Sequence, residues 1–584
     1  MKKLKKLAAV LLSLVMTAML AIPALAAGEY SITINNEKSG HTYEAYQIFA
    51  GDVSSDEAQE GNEEGPILSN ITWGNGVNGA ALLAALKTAD NAKYGACETS
   101  ADVAEALGIE NATAADAAAF AEIAAQYLAA VAGTATEPVE GNYVIGNLDA
   151  GYYLLKDQNG SLDGDADSAT EYIVQVLGNV TIEPKDSDIP TVEKKVSDEE
   201  YTQFEGAQGP DYRPPYGYGY NDVADWDIGD SVPFKLIGSI PDMSAYDTYE
   251  YIFTDTLSNG LTLQAGTIKV YIARNPYDQV NNYEPLIMGA DYTLDVQNVG
   301  ANGGGSFSIA FEDLKTNRYL TGANKEEYHY VIVTYDATLN TNAVIGLDGN
   351  PNSVDLQFSN DPNGEGLGRT PEDTVIVFTY ELDGTKVDGE NADTRLEDAQ
   401  FVLLNGGKTK AAMVVNGKMS GWVKVHSEAE GGEFQMPATY EEWVERYGEN
   451  NVILSSNENG KFNISGLDDG TYYLREIKAP AGYNLLEEDV KVVISAETAN
   501  GQDWAGDAAD AFTALTINVN DAEAVEGALD TGVVNVTVAN NQGTTLPETG
   551  GIGTTIFFVL GGVLVVGAGV LLIVRLRMRA ENKE

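Results

Sequence analysis

Apolar and polar residues alternate with a period of two through most of this chain, in short runs separated by Gly, Asn, Asp and Pro. Such runs are typical of half-buried strands in β-sandwiches. Examples are YIFTDTLSNGLTL in the middle of the chain and VVNVTVANN near its end. We therefore predict a mainly β protein built from tandem β-sandwich domains.

The runs fall into three successive units, which we predict at residues 28–187, 190–372 and 373–542. The first unit also contains AALLAALKTA and ATAADAAAFAEIAAQYLAAVA, whose spacing predicts Ala-rich helices packed against its strands. GNLDAGYYLLKD in the first unit is similar to SGLDDGTYYLREI in the third. Two of the domains are thus expected to share one hairpin design.

Both ends of the chain carry apolar segments that lie outside these units. Residues 1–26 combine a basic start, an apolar core and a small-x-small site, Ala24-Leu25-Ala26, which together indicate a cleaved signal peptide. Residues 552–574 are apolar, uncharged and long enough to span a bilayer, and an Arg-rich tail follows them. The body of the protein is therefore predicted to be exported.

Composition narrows the possible functions. There are 34 basic and 88 acidic residues among 584, and such a surface repels phosphate backbones, so nucleic acid is not an expected partner. Cys97 is the single cysteine, which excludes an internal disulfide, and His41, His329 and His426 lie far apart in sequence. No zinc site and no cofactor are expected.

A short polar peptide, Leu546-Pro547-Glu548-Thr549-Gly550, precedes the apolar segment and the basic tail. In this order the three parts resemble the sorting signal, residues 544–584 here, of Gram-positive surface proteins. The resemblance implies that a sortase cuts between Thr549 and Gly550 and passes the threonyl carbonyl to an amine. A peptidoglycan amine would make a wall-anchored monomer, whereas a lysine of another copy would make a pilin.

In the third unit, GTYYLREIKAPAGY resembles the E-box of Cna-B-type immunoglobulin-like domains. Those domains form an internal isopeptide bond between a lysine near the first strand and an asparagine near the last, and the E-box glutamate promotes it. Glu476 is that acid here. Lys386 and Asn540 share strand parity with apolar neighbours, which predicts that both face the core. An apolar core favours the neutral amine that the attack requires.

The second unit offers a similar set. In TVEKKV, alternation predicts that Lys194 faces inward and Lys195 outward, and in VDLQFSN it predicts an inward Asn360. Asp255 in FTDTL matches the acid position of Cna-A-like pilin domains. Links from Lys194 to Asn360 and from Lys386 to Asn540 would close very long loops, as disulfides do.

The first unit departs from this pattern. When its hairpin is aligned with the E-box, Lys156 stands where Glu476 stands in the third unit, so we predict no isopeptide bond in residues 28–187. The Asp-rich segment 157–171 has the composition of a calcium loop, but no register fits the spacing of calcium ligands. A solvated turn is the expected structure there, and no metal site is predicted.

A lysine between the first two units is the candidate joining amine. The EPK at Lys185 resembles the end of the pilin motif of Gram-positive major pilins, with Glu183 where that motif usually has Tyr. In that family the pilin-motif lysine lies between the first domain and the first strand of the second, and Lys185 has the same place between the first unit and VEKKV.

The resemblance covers essentially the whole chain and identifies it as a major pilin subunit of a sortase-assembled fimbrium at the cell wall. It implies that Thr549 of one copy joins Lys185 of the next. The implied partners are a class C-type pilin sortase, a housekeeping sortase, further copies of the chain, accessory pilins, peptidoglycan and a ligand on a host or neighbouring cell. Apart from the self-directed isopeptide step, no enzymatic activity is expected.

Other interpretations stay open. A wall-anchored adhesin that never polymerises would keep the intramolecular sets and leave Lys185 unused. A minor pilin at the base or tip is a variant of the same class. A surface enzyme is disfavoured because neither GxSxG nor HExxH occurs.

Overall fold

The structure is a computed structural model of the chain. It describes residues 28–543, except 29, 55–66, 109–113, 163, 165–166, 170, 184–188, 199–219, 277–279, 298–302, 322–326, 363–365, 426–434, 499–503 and 505, and the helix 552–581. The predicted signal peptide, Lys185 and the peptide 546–550 lie outside the described residues.

The first sandwich contains two sheets and a layer of helices. Its strands are β1 (Tyr30–Asn35), β2 (Tyr43–Ser54), β3 (Ile67–Trp73), β4 (Gly133–Ala135), β5 (Asn142–Leu148), β6 (Gly151–Asp157), β7 (Glu171–Val176) and β8 (Val180–Ile182). Its helices are α1 (Gly79–Ala89), α2 (Asn91–Tyr94), α3 (Ser100–Leu107) and α4 (Ala114–Ala125). The sheet β5-β1-β8 faces the sheet β3-β2-β6-β7, and β4 pairs with β2. The Ala-rich segments pack on the outer face of the second sheet, through residues such as Phe49 and Phe120.

The middle sandwich is made of two larger sheets. Its strands are β9 (Val192–Ser197), β10 (Tyr220–Asn221), β11 (Val223–Asp225), β12 (Ser231–Ser239), β13 (Tyr251–Leu257), β14 (Leu261–Leu263), β15 (Lys269–Ala273), β16 (Glu284–Pro285), β17 (Thr293–Gln297), β18 (Gly305–Phe311), β19 (Tyr330–Leu339), β20 (Asn350–Ser359), β21 (Leu367–Arg369) and β22 (Asp373–Phe378). One sheet has the order β10-β9-β12-β19-β15-β16, with β14 on β19; the other has the order β11-β22-β20-β13-β18-β17, with β21 on β20.

One boundary differs from the sequence prediction. Strand β22 was expected to open the third unit at 373, but it pairs with β20 and β11 of the middle unit. The apolar run that contains VIVF continues into the next strand with only Thr379 between them. The hydrophobic pattern breaks before this run, at Pro371-Glu372, and offers no break at Thr379, whereas the strand pairing ends the middle unit at Phe378.

The third unit is a single rolled sheet with short helices beside it. Its strands are β23 (Tyr380–Asp388), β24 (Gln400–Asn405), β25 (Lys410–Val415), β26 (Lys418–Lys424), β27 (Leu454–Ser455), β28 (Lys461–Leu467), β29 (Gly470–Lys478), β30 (Val490–Thr498), β31 (Phe512–Val519), β32 (Val525–Glu526) and β33 (Val533–Asn540). Its helices are α5 (Tyr440–Tyr447), α6 (Glu449–Val452) and α7 (Ala508–Ala511). The order is β32-β31-β30-β29-β24-β25-β26-β28-β23-β33, so the first strand lies parallel to the last.

Helix α8 (Ile552–Glu581) covers the predicted membrane segment 552–574. A search of the described residues finds no helix with the length and apolarity needed to cross a membrane. The side chains of 552–558 lie outside that description.

Candidate functional site

The three residues predicted in the third unit meet in its core. Lys386 on β23 and Asn540 on β33 approach because these strands run parallel and adjacent, and the Lys386 Nζ contacts the Asn540 Oδ1. Glu476 on β29 lies 3.1 Å from the Lys386 Nζ, and both of its oxygens accept hydrogen bonds of 2.9 Å from the Asn540 Nδ2. All three side chains are buried.

The surroundings of this site favour an uncharged lysine. Burial lowers the pKa of Lys386, although the charge of Glu476 and its hydrogen bond oppose the shift. The ammonium position lies 5.3 Å from the centre of the Phe401 ring, on the apolar side of the site. A neutral amine has the free lone pair with which it can attack the carboxamide carbon of Asn540. The arrangement can thus support amide transfer from Asn540 to Lys386.

In the middle unit Lys194 and Asp255 also meet, and the Tyr335 hydroxyl contacts both of them. The Lys194 Nζ contacts the Asp255 Oδ2 and donates to the Tyr335 hydroxyl at 3.0 Å and to the Ser353 carbonyl at 3.4 Å. Burial lowers the pKa of Lys194 and raises that of Asp255, and in each case the charge of the partner opposes the shift. Complete burial therefore favours the neutral amine and the neutral acid.

Asn360 is not part of this set, and the sequence prediction for it is wrong. Asn360 is buried, but its Nδ2 donates to the carbonyl of Leu162 in the first unit at 2.7 Å. Alternation identifies the face of a strand but not the position along it. In the antiparallel pair β13–β20, Asp255 stands opposite Val354, and Asn360 lies beyond the far end of the pairing.

Asn352 is the asparagine that the fold brings to this site. It has the same strand parity as Asn360 and is fully buried, and its Nδ2 donates to the Tyr335 hydroxyl at 2.7 Å. Its Oδ1 has no hydrogen-bond partner among the described residues. The sequence NPNSVDLQF already placed Asn352 on the inward face, so parity together with the strand register would have found it.

Lys195 also differs from its prediction. It was expected to face solvent but is buried, and its Nζ lies 2.5 Å from the Asp222 Oδ1. Asp222 in turn accepts from the backbone N–H of Trp504 in the third unit. Strand β9 is thus covered on both faces. The sequence pattern of the middle unit alone could not predict this, because residues of the third unit contribute to the cover.

In the first unit Lys156 is the residue that the hairpin alignment places opposite Glu476. It is buried, and its Nζ lies 2.5 Å from the Asn159 Oδ1.

The Asp-rich segment contacts His41, which the sequence analysis did not single out as a site residue. The His41 Nδ1 lies 2.9 Å from Asp157, and its Nε2 lies 3.2 Å from Asp167. The described part of this segment is therefore an ion-paired loop rather than a freely solvated turn.

Acidic residues also gather where the middle and third units meet. The carboxylates of Asp225, Asp468 and Asp469 offer oxygens that lie within 4.8 Å of one another. Nearby, Asp227 accepts from the Trp422 Nε1 at 2.7 Å, the Asp468 N–H at 2.8 Å and the Tyr472 hydroxyl at 3.1 Å. These bonds join the two units.

Three family models match successive parts of the chain. Residues 228–362 match the Gram-positive pilin backbone subunit 2, Cna-B-like domain. Residues 381–505 match SpaA, a prealbumin-like fold domain, and residues 539–582 match the LPXTG cell wall anchor motif. The middle unit, compared above with a Cna-A-like domain, thus matches a Cna-B-like description.

Relatives and solved structures were found as well. The trypsin-resistant surface T6 protein of Streptococcus pyogenes serotype M6 is 22% identical over 436 residues, which are 63% of this chain and 72% of that protein. The structure of the T6 backbone pilin of the same serotype is 16% identical, with a TM-score of 0.48, over 89% of this chain and 100% of that one. The full-length major pilin SpaD from Corynebacterium diphtheriae is 15% identical, with a TM-score of 0.42, over 88% and 98%.

The matched domains and the anchor define the class of this protein, which is a surface protein attached to the cell wall through an LPXTG motif. Within that class, residues 228–362 and 381–505 resemble domains of Gram-positive backbone pilins.

Proposed function

We propose that the protein is the shaft subunit of a fimbrium, that sortase joins Thr549 of each copy to Lys185 of the next, and that two internal isopeptide bonds reinforce each copy. The internal bonds join Lys386 to Asn540 and Lys194 to Asn352. A head-to-tail link of this kind is heterologous, so it propagates as a filament instead of closing into a dimer.

The internal bonds of this proposal rest on the contact of Lys386, Asn540 and Glu476 in the buried core of the third unit. The neutral Lys386 amine attacks the Asn540 carboxamide carbon, a C–N bond forms, and the bond to Nδ2 breaks. Glu476 carries a proton from the attacking nitrogen to the leaving nitrogen, which departs as ammonia. Atoms and charge balance, and the step needs no oxidant or cofactor.

The internal bonds suit a fibre under tension. In the third unit the bond would join β23 to β33, the first strand to the last, and in the middle unit it would join β9 to β20. A pulling force would then pass through covalent bonds and would not peel strands from the sheets. Since the chain has one cysteine, disulfides cannot serve this purpose.

The intersubunit link rests on position in the chain. Lys185 follows edge strand β8 and precedes β9, and so belongs to the connection between two sandwiches. A thioester on a sortase cysteine needs an accessible lysine as its acceptor. The partners that follow are a pilin sortase for polymerisation, and a housekeeping sortase that transfers the finished fibre to peptidoglycan, with accessory pilins beside it.

The test compares cell-wall extracts of wild type with Lys185→Ala by immunoblotting after boiling in SDS. A ladder of high-mass bands in wild type that collapses to monomer in Lys185→Ala supports the proposal. Lys269→Ala, which removes an exposed lysine of the middle unit, is the matched control and should keep the ladder. A ladder that survives Lys185→Ala would transfer the joining role to another lysine. A monomer alone in wild type would favour a wall-anchored adhesin that does not polymerise.

A further inference from the structure

The hydroxyl of Tyr335 stands at the centre of the middle site. It donates to the Asp255 Oδ2 at 2.9 Å, and accepts from the Lys194 Nζ at 3.0 Å and from the Asn352 Nδ2 at 2.7 Å. A phenol has one proton to donate and two lone pairs to accept with, so every hydrogen-bonding capacity of this group is used. The Tyr335 hydroxyl therefore contacts the Lys194 Nζ, the Asn352 Nδ2 and the Asp255 carboxyl group at the same time.

Packing holds the Tyr335 ring in one place. The ring stacks on Phe234 of the neighbouring strand with centroids 5.3 Å apart and an angle of 17°, and Phe307 meets it edge-on at 4.9 Å. The side chain is almost completely buried. Its oxygen is therefore positioned by the core and does not depend on the hydrogen bonds that it makes.

Among the described residues of the third unit, no hydroxyl contacts Lys386, Glu476 or Asn540 in this way. There Glu476 reaches the carboxamide of Asn540 directly, with two hydrogen bonds of 2.9 Å. Asp255 is one methylene shorter than a glutamate, and its connection to the Asn352 carboxamide runs through the Tyr335 oxygen. An aspartate with a tyrosine thus occupies the place that a glutamate fills alone.

We propose that Tyr335 is a catalytic residue of bond formation in the middle unit, where it orients the Asn352 carboxamide and relays a proton from Asp255 to the leaving nitrogen. This inference rests on the proposed function. As the Lys194 nitrogen bonds to the Asn352 carbonyl carbon, Asp255 gives its proton to the Tyr335 oxygen, and Tyr335 gives its own proton to Nδ2. Ammonia leaves, the new amide nitrogen returns a proton to Asp255, and Tyr335 ends unchanged.

Tyr335→Phe tests this role because it keeps the stacked ring and removes only the oxygen. Intact mass of the recombinant protein without its signal peptide and sorting signal, with peptide mapping, measures the linked fraction of each unit over time and across pH. We expect the middle bond to form about 100-fold more slowly, while the bond in the third unit forms as in wild type. Tyr251→Phe is the matched control, since it removes another buried hydroxyl, which donates to the Ser239 carbonyl.

The outcomes separate this inference from the function on which it rests. A wild-type middle unit without a link would overturn the isopeptide proposal for that unit. A linked wild type with an equally fast Tyr335→Phe would overturn the role of Tyr335 alone. The double variant Tyr335→Phe with Asp255→Glu distinguishes a lost proton relay from a disturbed packing of the core. A longer acid that reaches Asn352 directly should restore the link, and a folded double variant that stays unlinked counts against the relay.

Discussion

The side-chain amide of Asn360 in the middle unit donates to the carbonyl of Leu162 in the first unit across 2.7 Å. The same asparagine accepts at its own carbonyl from the Ala169 N–H at 2.7 Å, and Gly164 donates to the Leu367 carbonyl at 2.7 Å. The loop between β6 and β7 is thus fastened to the end of β20. Asn360 thus joins two domains, whereas Asn352 is the asparagine that we propose to be linked to Lys194.

This assignment predicts opposite results for two asparagines of the same strand. Asn352→Ala should leave the middle unit unlinked, because the attacked carboxamide is gone, and no loss of ammonia from that unit should appear relative to the mass calculated from the variant's sequence. Asn360→Ala should keep the link and loosen the loop that contains Leu162, which hydrogen exchange of peptides from 158–169 would detect. Intact mass and peptide mapping give the answer, and a link lost in Asn360→Ala but kept in Asn352→Ala would reverse the assignment.

The architecture was predictable because its signal is local. Period-two alternation predicted strands in all three units, and the Ala-rich spacing predicted α1 and α4 of the first. The boundary after Phe378 was not predicted, because a local pattern does not show which sheet a strand joins. Strands β22 and β23 form one nearly continuous apolar run, and only the hydrogen-bond partners of β22 reveal to which sheet it belongs.

The residues of a candidate site were predictable only where the face of the strand and the position along the strand both pointed to the same residue. Lys386, Asn540 and Glu476 meet as expected because the first and last strands of a domain are adjacent in this fold. Parity alone could not choose between Asn352 and Asn360, which face the same way eight residues apart. The burial of Lys195 depends on Asp222 and on the third unit, a long-range contact that no local pattern encodes.

Glu476→Ala should prevent the link in the third unit, since the carboxylate that holds Asn540 and exchanges protons is removed. Relative to the mass calculated from its sequence, the variant should then have lost one ammonia fewer than wild type. The link closes a separation of 154 residues, and the chain-entropy model gives a loss on the order of 5 kcal/mol in the free energy of unfolding. Mass spectrometry and thermal unfolding measure both effects. Glu497→Ala, an exposed glutamate of the same sheet, should change neither, and a linked Glu476→Ala would exclude this acid from the chemistry.

The first unit should lose stability in mildly alkaline solution. Burial alone would lower the pKa of His41, but hydrogen bonds and charges of Asp157 and Asp167 outweigh it and raise the pKa to about 9. Lys38 binds the same Asp167, and Tyr43 stacks on the imidazole. Because the folded pKa exceeds the ordinary 6.5, the stabilisation is complete below pH 6.5 and disappears as the pH rises through 9.

The shift corresponds to about 3 kcal/mol in the free energy of unfolding. Hydrogen exchange of peptides from β2 and β6, measured between pH 6 and 10 and corrected for intrinsic exchange, should show this loss. His41→Gln should remove most of the dependence and His329→Gln should retain it. A pH dependence that is equal in His41→Gln and wild type would refute the assignment.

Replacing one carboxyl at the junction between the middle and third units should stabilise it. Burial, with the charges of Asp225, Asp227 and Asp469 nearby, raises the pKa of Asp468 well above its usual range. The folded state therefore binds this proton more tightly than the unfolded chain does. Stability is greatest at low pH and falls as the pH rises from the usual carboxyl range through the folded pKa.

Asp468→Asn cannot ionise and keeps the side-chain oxygen that accepts from the Asp469 N–H. At pH 7 its unfolding temperature should rise by several degrees, and the decline of stability above the usual carboxyl range should flatten. The comparison is made in EDTA, so that no divalent cation neutralises the carboxylates. Asp530→Asn, an exposed change in the same unit, should alter neither quantity. An unfolding temperature that falls in Asp468→Asn would mean that the ionised carboxylate holds the junction together.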